Sequence, residues 1–189
     1  MILTAARTHN VVGGKRSQID LAARTWTIRA SELKGMKGQR ARDHVVPLSD
    51  RALAIIEDCL EGEYLFPGDE PGEPLSGAAM AAVIDRMNEE REAGGLPKWI
   101  DPKLDREIVP HGFRSCFKDW ASEQTNYPNE MSEMALAHTV SDKVEAAYRR
   151  GDMRERRRRL MADWAKFCAS PPSKVRRSTA DERVVALRT

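Results

Sequence analysis

Hydrophobic and polar positions divide the chain into a short strand-forming region followed by a series of helices. Segments at residues 19–21, 26–28 and 44–47 predict strands of a small antiparallel sheet at one edge of the fold. Helical periodicity then predicts helices at about residues 50–60, 77–93 and 113–123. Ser76 is a candidate N-cap for the second of these helices. Together these elements indicate an α+β fold that is mainly α.

Amphipathic helices continue after residue 110. Pro110 suits the turn that opens a helix, because proline has no N–H to satisfy and its φ is preset. A second helix starts at Pro128 and ends near His138, and a third carries Tyr148 in its last turn, just before Gly151. A last helix, RERRRRLMADWAKF, combines arginines with an apolar stripe. Residues 67–74 and 94–110 are predicted to be loops.

Composition indicates one soluble domain with an uneven charge. The 189 residues are 41% hydrophobic, and the net charge is only +2. Residues 149–189 contain thirteen Lys and Arg against five Asp and Glu, which gives this end a charge of +8. Such an end suits phosphate contact, although a solvated helix face explains any single arginine equally well. Residues 170–189 are predicted to be a basic tail that is flexible or docks on a partner.

Cysteine usage and the amino terminus favour a cytoplasmic protein. Cys59, Cys116 and Cys168 are scattered and odd in number, without the paired spacing of a zinc site. No signal-peptide core and no apolar run of membrane-spanning length is evident in the sequence. We therefore expect reduced thiols, no metal and no cofactor.

Candidate chemistry concentrates between residues 111 and 148. His111 and Arg114 are three residues apart at a predicted helix start, where partial positive charge and a guanidinium fork both favour a phosphate. His138 follows, and Tyr148 comes ten positions later. Each feature alone has an ordinary explanation, a surface pair for His-x-x-Arg and packing for the tyrosine. Taken in order, the set indicates phosphoryl transfer to a protein hydroxyl.

These segments resemble a known family. HGFR, then LAH, then VEAAYRRGD are similar to the carboxy-terminal half of phage-integrase-type tyrosine recombinases, and RERRRRLMADWAKF resembles the helix that follows the nucleophile. TAARTHNVVGGKRSQIDL resembles the segment with the first catalytic arginine, and WTIRASELKGMKGQRARDHVVPLS resembles the hairpin with the catalytic lysine. The resemblance covers residues 3–167 and implies the tyrosine-recombinase catalytic fold.

The resemblance also implies catalytic residues and a reaction. Tyr148 would attack a DNA phosphodiester and form a 3′-phosphotyrosyl bond while Arg7 and Arg114 clamp the nonbridging oxygens. His111 would act as a base or proton shuttle, and His138 would hydrogen-bond the phosphoryl oxygen. The lysine that protonates the departing 5′-oxygen would be Lys34, with Lys37 as the alternative. The implied partners are double-stranded DNA at attachment sites and further protomers, as a tetramer on DNA.

Departures from the family pattern leave a second interpretation open. Asn10 stands where the family usually has an acidic residue, and Arg16 stands where a tryptophan is usual. The amino-terminal core-binding domain of the family is not present before Arg7, so residues 1–169 resemble an amino-terminally truncated catalytic domain. The alternative to an active recombinase is an impaired remnant that only binds DNA or partner protomers.

Overall fold

The computed structural model describes residues 1–33, 42–59, 61–102, 104–138 and 153–171. The helices are α1 (Thr8–Val12), α2 (Asp50–Glu57), α3 (Ala79–Ala93), α4 (Gly112–Glu123), α5 (Asn129–Ala135) and α6 (Arg154–Ala169). The strands are β1 (Ile19–Asp20), β2 (Thr25–Ile28), β3 (His44–Pro47), β4 (Ile100–Asp101) and β5 (Arg106–Glu107). Short 3₁₀ turns lie at Ile2–Thr4, Arg16–Gln18 and Ala30–Glu32. The α+β, mainly α prediction is confirmed.

β1, β2 and β3 form the predicted antiparallel sheet. β2 lies in the centre, with Trp26 opposite Val46 and Ile28 opposite His44. Trp26, Ile28 and Val46 are buried, so one face of the sheet contributes directly to the core. The register places His44 at the end of β3 where the sheet meets the helices.

The prediction of a plain loop at residues 94–110 is wrong. β4 and β5 pair there as an antiparallel hairpin, with Ile100 opposite Glu107. Each strand is only two residues long, and β5 consists of the charged pair Arg106 and Glu107. Strands this short have no room for the alternation of apolar and polar residues that reveals a strand in sequence.

Several helix ends differ from the predictions. α2 stops at Glu57, and Ser49 caps its start by accepting a hydrogen bond from the Ala52 N–H at 3.4 Å. Ser76 is not the N-cap of α3, which is Ala78. The Ser76 hydroxyl accepts a hydrogen bond from the Ala78 N–H in the turn before the helix. α5 stops at Ala135, and a left-handed residue, Ala137 with φ 51°, redirects the chain. That turn delivers His138 away from the axis of α5.

Two hydrophobic clusters make up the core. The first packs the three-stranded sheet against α2: Ala6, Val11, Trp26, Ile28, Leu33, Val46, Leu48, Ala52, Leu53, Ile56, Leu65 and Ala137. The second joins α4, α5 and α6: Ala5, Phe117, Trp120, Ala121, Met131, Ala135, Leu136, Leu160, Met161 and Trp164. Consecutive residues at two places, 5–6 and 136–137, belong to different clusters. These two chain segments therefore mark the junction between the clusters.

Within the described residues, no helix is both long enough and apolar enough to cross a bilayer.

Candidate active site

Arg114 lies at the junction of the two hydrophobic clusters. It shares a face of α4 with Phe117 and Ala121, so helical spacing carries its side chain inward, and only 4% of the residue is exposed. One guanidinium nitrogen, Nη1, donates to the Ala5 carbonyl, and Nη2 donates to the Leu136 carbonyl at 2.7 Å. Arg114 therefore ties both junction segments to α4.

Arg7 lies beside Arg114 on the neighbouring segment. It is the N-cap of α1, with extended backbone angles, and its half-buried side chain donates from Nη2 to the Ala137 carbonyl at 3.4 Å. The other terminal nitrogen, Nη1, is buried and has no hydrogen-bond partner among the residues described. A buried guanidinium N–H without an acceptor is costly unless an anion or water completes it.

The proximity of Arg7 and Arg114 concentrates positive charge in a partly desolvated site. Burial, together with the charge of Arg7, lowers the pKa of Arg114 to about 10. Because like charges in a partly desolvated site repel each other, a bound anion would be stabilised by both guanidinium groups. The arrangement is suited to a phosphate.

His138 faces the same arginines from the end of α5. Its Nε2 lies 3.4 Å from Nη2 of Arg114, and its Nδ1 lies 2.6 Å from a carboxylate oxygen of Glu133. The side chain is 44% exposed, so the ring is reachable from solvent while its inner edge contacts Arg114. The structure therefore brings Arg7, Arg114 and His138 together as one arginine–histidine cluster.

The remaining predicted residues lie apart from this cluster or outside the described residues. His111 is the exposed N-cap of α4, and no hydrogen bond joins its ring to Arg7, Arg114 or His138. It precedes Arg114 by three residues but projects to the exposed side of the helix start. Lys34, Lys37 and Tyr148 all lie outside the described residues.

Comparison with known proteins decides the family. A model described as the phage integrase family matches residues 1–155. The chain belongs to that family. Prophage integrase IntA of Escherichia coli K12 is 34% identical over 169 residues, which are 87% of this chain and 36% of IntA. The integrase of Shigella phage Sf6 is 27% identical over 168 residues, 86% of this chain and 38% of the phage protein. The chain thus spans little more than a third of the length of these relatives.

A solved structure shows a similar fold. The crystal structure of XerA recombinase matches with a TM-score of 0.51 and 12% sequence identity, covering 90% of this chain and 55% of XerA. Together with the family match, this likeness confirms the expected tyrosine-recombinase catalytic fold. At this identity the likeness concerns the backbone arrangement alone.

Sequence reasoning missed His44, which packs against the cluster from β3. Burial lowers the pKa of His44 to about 4, with further lowering by the charges of Arg157, Arg114 and Arg7, against a hydrogen bond to the Ala135 backbone that raises it. In the sequence His44 is simply the first residue of a strand. Its charged neighbours are between 37 and 113 positions away, so no local pattern could reveal them.

Glu133 and Lys118 were also missed, because the ion pair between them depends on how α4 packs against α5. Lys118, one turn after Arg114 on α4, lies 2.7 Å from Oε1 of Glu133, and the other Glu133 oxygen contacts His138. Burial raises the pKa of Glu133, but hydrogen bonds and charges from Lys118 and His138 outweigh it and lower the pKa below its usual value. The carboxylate beside the cluster is therefore ionised at neutral pH.

Asn10 ties α1 to a neighbouring turn of the main chain. It is buried, and its Nδ2 donates to the Glu32 carbonyl at 3.0 Å, while Nε2 of His9 lies 3.1 Å from the same oxygen. α1 is thereby tied to the turn at Ala30–Glu32, which immediately precedes the segment containing Lys34. Asn10 thus donates to a backbone carbonyl at a position where the resemblance leads one to expect an acidic residue.

Proposed function

We propose that residues 1–169 form the catalytic domain of a site-specific recombinase that cuts and rejoins DNA through a 3′-phosphotyrosyl intermediate. Residues 170–189 would be its carboxy-terminal tail. The observation that carries this proposal is the convergence of Arg7, Arg114 and His138 from three separate parts of an integrase-family chain. Three cationic or hydrogen-bonding groups at one point suit a phosphodiester that gains charge during transfer.

The two arginines would bind and stabilise the reacting phosphate. Arg114 is held by two backbone carbonyls, so little reorganisation is needed when the phosphate arrives. The buried Nη1 of Arg7 offers a donor that the described residues leave without an acceptor. A nonbridging phosphate oxygen would supply that acceptor. Loss of one such preorganised donor typically slows a reaction about 10²–10³-fold.

The remaining roles are assigned from the family motif. Tyr148 would be the nucleophile, attacking the phosphorus and releasing a 5′-hydroxyl, so that the bond energy is kept for rejoining. His138 would donate a hydrogen bond to a phosphoryl oxygen. His111, which is exposed at the start of α4, would act as a base or proton shuttle. Lys34, or alternatively Lys37, would protonate the departing oxygen.

The substrate would be double-stranded DNA at attachment sites, and the active form would be a tetramer of protomers on two such sites. The arginines of α6 and the basic tail would add phosphate contacts that give affinity without base recognition. A second candidate function is binding of DNA or partner protomers without strand transfer. Asn10 favours this candidate, because its amide is committed to the Glu32 carbonyl and brings no negative charge to the site.

A covalent-adduct assay separates the two candidates. The chain is incubated with a nicked suicide duplex that contains the attachment site, and binding to the same duplex is measured in parallel. A protein–DNA adduct that survives denaturation supports the recombinase, and binding without an adduct supports the second candidate.

Tyrosine variants identify the nucleophile. The adduct should disappear in Tyr148→Phe and persist in the matched control Tyr127→Phe, since the Tyr127 hydroxyl is occupied by Asp163 at 2.6 Å. An adduct that persists in Tyr148→Phe would refute the assignment of the nucleophile.

A further inference from the structure

Glu133 contacts His138 on the edge of the ring opposite the arginines. One carboxylate oxygen, Oε2, lies 2.6 Å from Nδ1 of His138, while Oε1 lies 2.7 Å from Nζ of Lys118. The His138 backbone N–H also donates to the Glu133 carbonyl at 3.0 Å. One residue thus holds both the main chain and the ring of His138.

Lys118 is itself held firmly, which fixes the position of the carboxylate. Its ammonium group donates to the Ser132 hydroxyl at 2.8 Å and to the Asn129 side chain. Both of these acceptors belong to α5, as does Glu133, whereas Lys118 belongs to α4. All three N–H donors of the lysine therefore have acceptors on α5. Lys118 therefore joins α4 to α5 at the carboxylate that contacts His138.

The geometry determines which ring nitrogen of His138 carries hydrogen when the ring is neutral. An ionised carboxylate only accepts hydrogen bonds, so the nitrogen facing Glu133 must be the donor, and that nitrogen is Nδ1. Nε2 is then left without a proton, directed at Arg114. When the ring takes up a second proton, that proton appears on Nε2, on the side where the arginines converge.

We propose that Glu133, supported by Lys118, is a positioning residue that fixes the ring orientation and the tautomer of His138. Half-exposed histidine side chains otherwise sample several rotamers, and neutral imidazole in water favours the opposite tautomer, with hydrogen on Nε2. The carboxylate selects the form whose Nε2 takes up the second proton, and this N–H can then donate a hydrogen bond to a phosphoryl oxygen. This inference rests on the proposed function for its consequence, while the tautomer itself can be measured without DNA.

The first test is spectroscopic and uses the whole chain labelled with ¹⁵N in its histidine rings. Well above neutral pH, the ring nitrogen shifts of His138, assigned through its loss in His138→Gln, should show hydrogen on Nδ1. In Glu133→Ala the population should move toward hydrogen on Nε2. Glu130→Gln, a change of another carboxylate on the same helix, should leave the His138 signals where they were.

Stability and folding measurements exclude the possibility that a changed His138 signal reflects an unfolded variant. Unfolding midpoints and circular dichroism of each variant establish that the native fold is retained. If Glu133→Ala proves unfolded, Glu133→Gln keeps the side-chain size, and its amide cannot enforce a donor at Nδ1. A folded variant lacking the carboxylate whose His138 still carries hydrogen on Nδ1 overturns the proposal.

The second test measures covalent-adduct formation with the suicide duplex. Loss of a residue that orients a reacting group typically lowers activity about 10–100-fold, so Glu133→Ala should slow adduct formation by this factor with DNA affinity nearly unchanged. Lys118→Met should have a smaller effect in the same direction. A changed tautomer with an unchanged adduct rate would overturn the catalytic part of the inference. If even the wild-type chain forms no adduct, the proposed function fails, whereas the tautomer measurement still decides the positioning role.

Discussion

The half-buried position of His44 predicts a specific dependence of stability on pH. The ring lies at the end of β3, beside Arg7, Arg114 and Arg157, and a backbone carbonyl at Ala135 is its hydrogen-bond acceptor. Burial and the three positive charges disfavour protonation in the folded state. The unfolded chain has no such environment, so its histidine titrates near 6.5.

The sign and magnitude follow from these two pKa values. Because the pKa of His44 is lowered to about 4 on folding, the unfolded chain takes up the proton first as the pH falls. The contribution of His44 to the free energy of unfolding is therefore complete above pH 6.5 and is lost progressively between about 6.5 and 4. The pKa difference corresponds to at most about 3 kcal/mol, and we expect about half of this because the ring is partly exposed.

Urea unfolding between pH 4.5 and 8 measures the effect. His44→Gln keeps a donor for the Ala135 carbonyl and removes the titrating ring, so the variant should lose less stability than wild type as the pH falls. Val46→Ala, on the same strand, is a control that should lower stability by about 1–3 kcal/mol at every pH. If the wild-type and His44→Gln curves run parallel over this range, His44 does not titrate as the structure indicates.

Substitutions at three further positions test the contacts of Arg114, the packing of α6 and the cap of α2. Arg114→Lys cannot supply both donors to the Ala5 and Leu136 carbonyls, so its free energy of unfolding in urea should fall by about 1–3 kcal/mol. The amount of covalent adduct with the suicide duplex should fall at least about 100-fold. A stable, fully active lysine variant would contradict this. Trp164→Phe removes the hydrogen bond to a backbone carbonyl near the amino terminus and part of a buried ring, which should cost about 1–3 kcal/mol in thermal or urea unfolding. Ser49→Ala removes the cap of α2 and should cost about 1 kcal/mol, whereas Ser49→Asp should restore most of it.

Local sequence signals were sufficient for most elements of the fold. The buried faces of β2 and β3 and the apolar stripe of α4 are short-range patterns, and the structure has these elements where periodicity predicts them. Predictions failed where the elements or turns span too few residues to show a periodic pattern of apolar and polar positions. The β4–β5 hairpin is one case, and the capping of α3 is another, since the Ser76 hydroxyl accepts from the Ala78 N–H in the turn before the helix.

The candidate site shows the same division between local and distant information. Arg7, Arg114 and His138 could be named from motif order, but only the fold shows that they meet. His111 belongs to the same motif as Arg114, yet it is exposed at the N-cap of α4 whereas Arg114 is buried. The predicted roles of Lys34 and Tyr148 stay predictions for the adduct assay, because both residues lie outside the described part of the chain.

The sequence by itself determined which residue types are available for phosphate chemistry and the helices and strands that carry them. These properties depend on neighbours within a few positions along the chain. Tertiary structure decided what those residues touch. The junction of two hydrophobic clusters buries Arg114 and leaves one buried donor of Arg7 without an acceptor among the described residues. It also places His44 near the arginines and Glu133 against His138. Arg7 reaches Ala137 and Arg114 reaches Ala5 across more than a hundred residues of sequence. The shorter-range contacts of Glu133 depend on how α4 packs against α5, so no local pattern encodes them either.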